Sequence, residues 1–258
     1  MRVRMVSLAL ALVVAIPGVA LGYEVVEVKD GGTLTGSVRF VGAPPKLAPI
    51  PVKKNQDLCG DSVPSEALVL GLNKGVRYAV IWMEGIAKGK KIERKTVVLD
   101  NNTCLFVPHV VAVSTATKTK VKNSDPVLHN THGFLARKTV FNLALPLQDQ
   151  VLDVTRRIKR LWRKKRFGVM DIQCDAHTHM KAWMVVRPDP YFAVTDERGR
   201  FKVTDIPPGT YKVVAWHESW EVKGSDKDGR PIYGKAMMIT TEVTIPPRGK
   251  ARVEFKLK

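Results

Sequence analysis

The stretch that most constrains how this chain can fold is Cys174-Asp175-Ala176-His177-Thr178-His179-Met180, a short run held between two β-patterned segments. Gly168-Val169-Met170-Asp171-Ile172-Gln173 leads into it, and Ala182-Trp183-Met184-Val185-Val186 leads out. The run therefore reads as a loop joining two strands. The rest of the chain has the same texture. From Tyr23 onward, short β-rich segments alternate with Gly and Pro punctuation, over 33–40, 77–83, 96–99, 105–107, 110–113 and 117–122, with an apolar, Pro-ended stretch over 139–147. Residues 78–82 are apolar throughout, as a buried strand requires, whereas 117–122 alternates Thr and Lys as a strand with one wet face does. These patterns imply an all-β fold.

The loop's side chains carry chemistry. Thiolate and thioether are soft ligands that suit copper(I), and two imidazoles, one thiolate and a weak axial Met make a trigonal electron-transfer copper site. The loop offers Cys174, His177 and Met180 at Cys-x2-His-x2-Met spacing, so one imidazole must come from elsewhere. Asn123-Ser124-Asp125-Pro126-Val127-Leu128-His129-Asn130-Thr131-His132 offers it. Taken alone, Cys174 could be an inert buried thiol. That reading leaves His177 and Met180 beside it unexplained.

The paired motifs, in this order and each ending a strand-like segment, resemble the cupredoxins, the type 1 blue copper proteins, with a ligand loop most similar to the amicyanin and plastocyanin type. The resemblance implies a Greek-key β-sandwich, one copper ion, and His129, Cys174, His177 and Met180 as its ligands. It also gives Asn130 the task of fastening the loops. His132 is expected to point away, behind the ligands. His179 is expected as an exposed loop histidine, with an electron-exit edge or an extra ligand as alternatives. His109, after Pro108, stays open as a rival to His129. Met184 and His217 are expected to be structural.

After Arg187-Pro188-Asp189-Pro190 the texture changes. A hairpin over 191–201 and the run Ile206-Pro207-Pro208-Gly209-Thr210-Tyr211 resemble the carboxypeptidase regulatory-like domain, a small seven-stranded β-sandwich without catalysis. The expected division is a copper domain over 23–187 and a second sandwich over 188–258. Residues 31–41 also resemble that sandwich's opening strand, so an insertion of the copper domain between its strands stays open.

Arg2 and Arg4 precede an apolar run from Met5 to Ile16, broken by Pro17-Gly18 and followed by the small-residue site Ala20-Leu21-Gly22. Residues 1–22 read as a cleaved secretory signal peptide, shorter in its apolar part than the roughly 20 residues of a membrane span. Export to a periplasm or an equivalent compartment is expected. Three cysteines in an exported chain leave one unpaired. With Cys174 on metal, Cys59 and Cys104 are free to pair, though two separate buried thiols remain the alternative.

One segment reads as a helix. Val154, Ile158, Leu161 and Trp162 recur at helical spacing, within a basic insert spanning 153–167 that carries Arg156, Arg157, Lys159, Arg160, Arg163, Lys164, Lys165 and Arg166. With a net charge of +18, the chain is expected to favour acidic partners. The block is expected to dock an acidic redox protein, such as a cytochrome or dehydrogenase, or an anionic membrane surface; a solvated face is the plainer reading. There is no nucleic-acid motif. Electron transfer without catalysis is the expected function. Copper storage, delivery or sensing, and a mononuclear copper enzyme with a more open site, are the alternatives.

Overall fold

The computed structural model describes residues 23–114 and 116–258, so the expected signal peptide lies outside the described residues. The strands that build the fold are, in chain order, β1 (Gly32–Phe40), β2 (Val80–Glu84), β3 (Thr96–Asn102), β4 (Leu105–Val107), β5 (Val110–Ser114), β6 (Lys118–Asn123), β7 (His129–Leu135), β8 (Lys138–Leu145) and β9 (Val151–Asp153). Helix α1 (Thr155–Arg163) follows. Then come β10 (Gly168–Gln173), β11 (Lys181–Arg187), β12 (Phe192–Val194), β13 (Arg200–Ile206), β14 (Gly209–His217), β15 (Met237–Ile245) and β16 (Lys250–Leu257).

These strands form four sheets, with neighbours in the orders β13-β1-β16, β12-β2-β14-β15, β8-β7-β10-β11-β5 and β9-β6-β3-β4. The first two sheets enclose a core that includes Leu34, Ile81, Met83, Val213, Phe201 and Phe255. The last two enclose another, with Leu99, Phe106, Val121, Phe141, Met170 and Ile172. The fold is all-β: two β-sandwiches, the first the smaller of the two.

Strand alternation explains why the two sandwiches stack. Successive side chains of a strand point to opposite faces. In β2, Ile81 and Met83 enter the first core, while Val80 and Trp82 face the other way. In β14, Val213 and Ala215 face the first core, and Val214 and Trp216 oppose them. In β11, Ala182, Met184 and Val186 enter the second core and leave Val185 and Trp183 on the reverse face. The reverse faces meet in a third apolar layer. Strands buried on both faces read as continuous apolar runs, which is the pattern of 78–82 and 182–186.

The division expected at residue 187 is corrected by strand pairing. β1 lies between β13 and β16, and β2 pairs with β12 and β14. The smaller sandwich thus takes its first two strands from before the larger one, which is an insert running from β3 to β11. The alternative placement of residues 31–41 is the one observed, and it extends to 80–84.

Helix α1 forms where expected. The Asp153 carboxylate accepts the Thr155 N–H at 2.7 Å, and Val154, Ile158 and Leu161 are buried in the second core. The Trp162 side chain lies outside what is described. No helix among the described residues is long and apolar enough to cross a membrane.

Candidate metal centre

The Cys174–Met180 loop joins β10 to β11, which are antiparallel neighbours from Gly168↔Val186 to Gln173↔Lys181. β10 also pairs with β7, with Gln173 opposite His132, so the start of β7 lies beside the loop. Sheet register thereby brings together residues 45 positions apart: the His129 Nδ1 and Cys174 Sγ atoms are 3.9 Å apart. The His177 Nδ1 is 3.8 Å from the same sulfur. Cys174, His129 and His177 form a compact group of buried donors. Met180 is fully buried in the same core as Cys174.

Outer partners set each ring. His129 Nε2–H donates to Asp125 Oδ2 at 2.8 Å, and that carboxylate also accepts the Thr103 and Cys104 N–H groups at 2.7 and 2.8 Å. His177 Nε2–H donates to Asn55 Oδ1 at 2.9 Å. In both rings the Nδ1 lone pair is left for the space beside the sulfur, as a metal ligand requires. Burial lowers the His129 pKa. Burial, with the neighbouring His129 and His179 rings, brings His177 down to about 4. Both rings are therefore neutral at pH 7. Burial pushes the Cys174 thiol up, so metal binding must displace its proton.

Asn130 fastens two strands to the loop. Its N–H donates to Cys174 Sγ at 3.3 Å, its Oδ1 accepts the Asp175 N–H at 3.2 Å, and its Nδ2 reaches the Leu143 carbonyl. His132 points away from the sulfur, with Nδ1 2.9 Å from an Asp175 carboxylate oxygen and its ring against Phe134.

Two expectations need correction. His179 is not an exposed loop residue. It is buried, and its Nε2–H donates to the Cys104 carbonyl at 3.1 Å, so it ties the loop to the turn just before β4. His109 is not a rival to His129. It lies between the sandwiches, paired with Glu218, near Glu66 and against the Tyr78 ring. His217 is buried and donates to a backbone carbonyl, a structural contact. Cys59 and Cys104 are disulfide-bonded, which leaves Cys174 as the free cysteine.

The basic block does not lie beside this centre. Arg156, Lys159, Arg160 and Arg163 share a groove with Arg94, Lys95 and Lys118, at the starts of β3 and β6. The centre lies past the other end of β6, where Asn123 and Asp125 support His129. A six-residue strand separates the two regions by about 17 Å.

Sequence reasoning missed Asp125, Asn55 and Arg230. Asp125 had a local signal, a carboxylate four residues before His129. Asn55 and Arg230 reach the loop from 122 and 56 residues away, with no local pattern to reveal them.

Comparison with known proteins gives partial likenesses. Residues 191–233 match the family model of the second β-sandwich domain of BOS complex subunit NOMO1-like proteins. That match supports a β-sandwich in this segment, without reaching the narrower carboxypeptidase regulatory-like assignment. No curated protein matches the chain. Among solved structures, a copper-containing nitrite reductase from Thermus scotoductus SA-01 is similar at 15% identity and a TM-score of 0.29, over 39% of this chain and 24% of that one. The chain thus spans about a quarter of that reductase. A reduced Cu(I) amicyanin variant aligns at 18% identity and a TM-score of 0.27, over 38% of this chain and 87% of its own. A pseudoazurin from Sinorhizobium meliloti aligns at 17% identity and a TM-score of 0.24, over 37% and 75%.

Proposed function

We propose that the inserted sandwich would hold one copper ion through His129 Nδ1, Cys174 Sγ and His177 Nδ1, with the Met180 thioether as a fourth donor, and that the protein exchanges single electrons with a redox partner. The observation that carries this reading is the convergence of two neutral imidazoles on one buried thiol, at 3.9 and 3.8 Å. That donor set, two nitrogens and a soft sulfur, fits copper. When bound, copper supplies a one-electron couple between Cu(I) and Cu(II).

The chain's own groups hold the ligands still. Asp125 and Asn55 fix the two ring tautomers, and the Asn130 N–H directs a hydrogen bond at the Cys174 sulfur. Burial of both histidines and of Cys174 keeps water from the donors. That closure favours electron transfer over the open-site enzyme reading, which needs room for a small molecule.

The basic helix serves as an ionic docking face for an acidic redox partner, such as a cytochrome or dehydrogenase. An anionic membrane surface is the other candidate of matching charge. Export to an oxidising compartment, directed by the leader over 1–22, accords with the Cys59–Cys104 bond.

Copper titration tests the reading. The wild-type protein should bind one equivalent and acquire an intense visible charge-transfer band from the thiolate. Cys174→Ser should lose that band while its far-ultraviolet circular dichroism stays unchanged. A Cys174→Ser protein that keeps the visible spectrum would sink the assignment.

A further inference from the structure

Two segments outside the inserted sandwich reach over its ligand loop. The first is the hairpin of Val222–Ser225 and Pro231–Tyr233, which follows β14. Its turn is set by Asp226, whose side chain accepts the Asp228 and Arg230 N–H groups, both at 2.9 Å. This aims the Arg230 guanidinium at the loop backbone. One nitrogen donates to the Cys174 carbonyl at 2.7 Å, and another lies 3.2 and 3.3 Å from the Thr178 and Met180 carbonyls. A single planar fork thus spans the loop from its first ligand position to its last.

The second segment carries Asn55. This residue adopts a left-handed conformation, φ 56° and ψ 41°, which asparagine tolerates better than most residues, and it leads the short helix Gln56–Cys59. It accepts the hydrogen bond from His177 Nε2, and His177 is only 2% exposed. The segment is tied down twice. The disulfide joins Cys59 to Cys104 of the insert, and Lys53 Nζ donates to the Asp228 carbonyl of the hairpin at 3.0 Å. The two covering segments therefore hold each other as well as the loop.

We propose that Arg230 and Asn55 are positioning residues of the metal centre, clamping the Cys174–Met180 loop in its ligand geometry before metal arrives and closing the outer edge of His177. This rests on the reading of His129, Cys174 and His177 as metal ligands. The clamp itself belongs to the metal-free protein. With three carbonyls pinned by one guanidinium, the loop cannot swing the Cys174 sulfur away from the two imidazoles without losing charge-assisted hydrogen bonds. The fixed positive charge also lies on the Cys174 side of the site, where it favours the more negative, reduced form of a bound centre.

The test uses metal-free full-length protein, in which Cys174 is the free thiol. A water-soluble aromatic disulfide reagent reports how often the loop opens. Arg230→Gln should react at least about tenfold faster than wild type, the change expected when a charge-assisted hydrogen bond is lost. Arg230→Lys keeps the charge but cannot span the three carbonyls, so it should react nearly as fast as Arg230→Gln. Copper-loaded Arg230→Lys should keep a potential close to wild type, while that of Arg230→Gln falls. Asn55→Ala should also speed thiol modification. It lies on a surface segment and provides the readout if Arg230→Gln does not fold. Wild-type thiol kinetics in both Asn55→Ala and a folded Arg230→Gln would overturn the clamp. A wild-type protein that takes up no copper would instead sink the ligand reading, leaving the thiol kinetics to decide the clamp.

Discussion

In the outer sandwich the space between the sheets is filled by Leu34, Ile81, Phe201 and Phe255, and buried hydroxyls there brace backbone. Thr195 is an example: its hydroxyl donates to the Val76 carbonyl at 2.7 Å and accepts the Ala79 N–H at 2.9 Å. In the inserted sandwich the same kind of apolar core, around Phe106, Phe141 and Ile172, is closed at one end by Cys174 and Met180, with His129 and His177 against them. There the donors face one another, with their outer atoms engaged elsewhere. The difference teaches a division of labour. The outer sandwich is a frame that lends Asn55 and Arg230 to the site from its connecting segments, and the insert carries the donors. If the frame matters, breaking its junction with the insert should cost more than altering the insert's own surface.

The largest effect is expected at the junction. His109 precedes β5 of the insert and Glu218 follows β14 of the frame, and both are at least nine-tenths buried. Glu218→Gln leaves the imidazole with only Glu66, 3.7 Å away, as counter-charge, and breaking a buried pair this way costs about 3–5 kcal/mol. Burial pulls the His109 pKa down, but Glu218 and then Glu66 push harder, so its net direction is up. Burial pulls Glu218 up, but His109 outweighs that and holds it below its ordinary value. The raised histidine gives its full stabilisation below its unfolded value of 6.5 and loses it as pH rises through the folded value. The depressed carboxylate gives its full stabilisation above its unfolded value of 4.5 and loses it as pH falls through the folded value. Both contributions are complete between 4.5 and 6.5. Thermal unfolding of wild type and Glu218→Gln should therefore differ most in that window, with the gap narrowing at higher pH. A gap that stays constant into the alkaline range would mean the junction does not depend on this ion pair.

The covalent tie comes next. The disulfide spans 45 residues and joins the Asn55 segment to the insert. Closing a loop of that size stabilises by about 2–4 kcal/mol. A Cys59→Ala, Cys104→Ala double variant should lose that much in denaturant unfolding and should expose Cys174 to thiol reagents more often. Unchanged stability would show that the apolar layer and the His109–Glu218 pair hold the frame and the insert without the covalent tie.

How much of this could be read from the sequence follows from the range of each interaction. Strand alternation and continuous apolar runs are local, so 33–40, 105–107, 117–122 and 168–173 were legible as strands. The site was legible to the extent that its groups lie in two short motifs. The Cys-x2-His spacing put Cys174 and His177 together, and the order of the motifs pointed to His129. What stayed hidden was set by sheet pairing across long separations. β1 and β16 pair in parallel from Thr33↔Lys250 to Phe40↔Leu257; the resemblance of 31–41 to an opening strand left that placement open, but no local pattern at 80–84 announced its pairing with β12 and β14. The same holds for His179, whose burial depends on the Cys104 carbonyl, and for His109, whose partner Glu218 belongs to the other sandwich. The basic block was read correctly as a helix. It comes just before the Cys174 strand in sequence yet lies far from the loop in space, because a strand carries the chain from one end of a sandwich to the other.

The smallest effect on structure is expected from that block, and it sharpens the contrast within the insert itself. One end is buried and donor-rich; the other is exposed and cationic, about 17 Å away along β6. At that distance ionic screening, with a Debye length of about 8 Å in physiological salt, leaves little direct influence of the basic end on the centre. Replacing Arg163, Lys164, Lys165 and Arg166 with Gln should therefore leave the copper spectrum and the unfolding midpoint nearly unchanged. The same change removes four positive charges from the surface that would steer an acidic partner. Association with an acidic cytochrome should slow at low salt, and its dependence on ionic strength should flatten. Stopped-flow electron transfer across a salt series, with anionic vesicle binding measured in parallel, separates the two kinds of partner. A shift only in vesicle binding assigns the basic end to a membrane surface. A shift in neither makes it a solvated face.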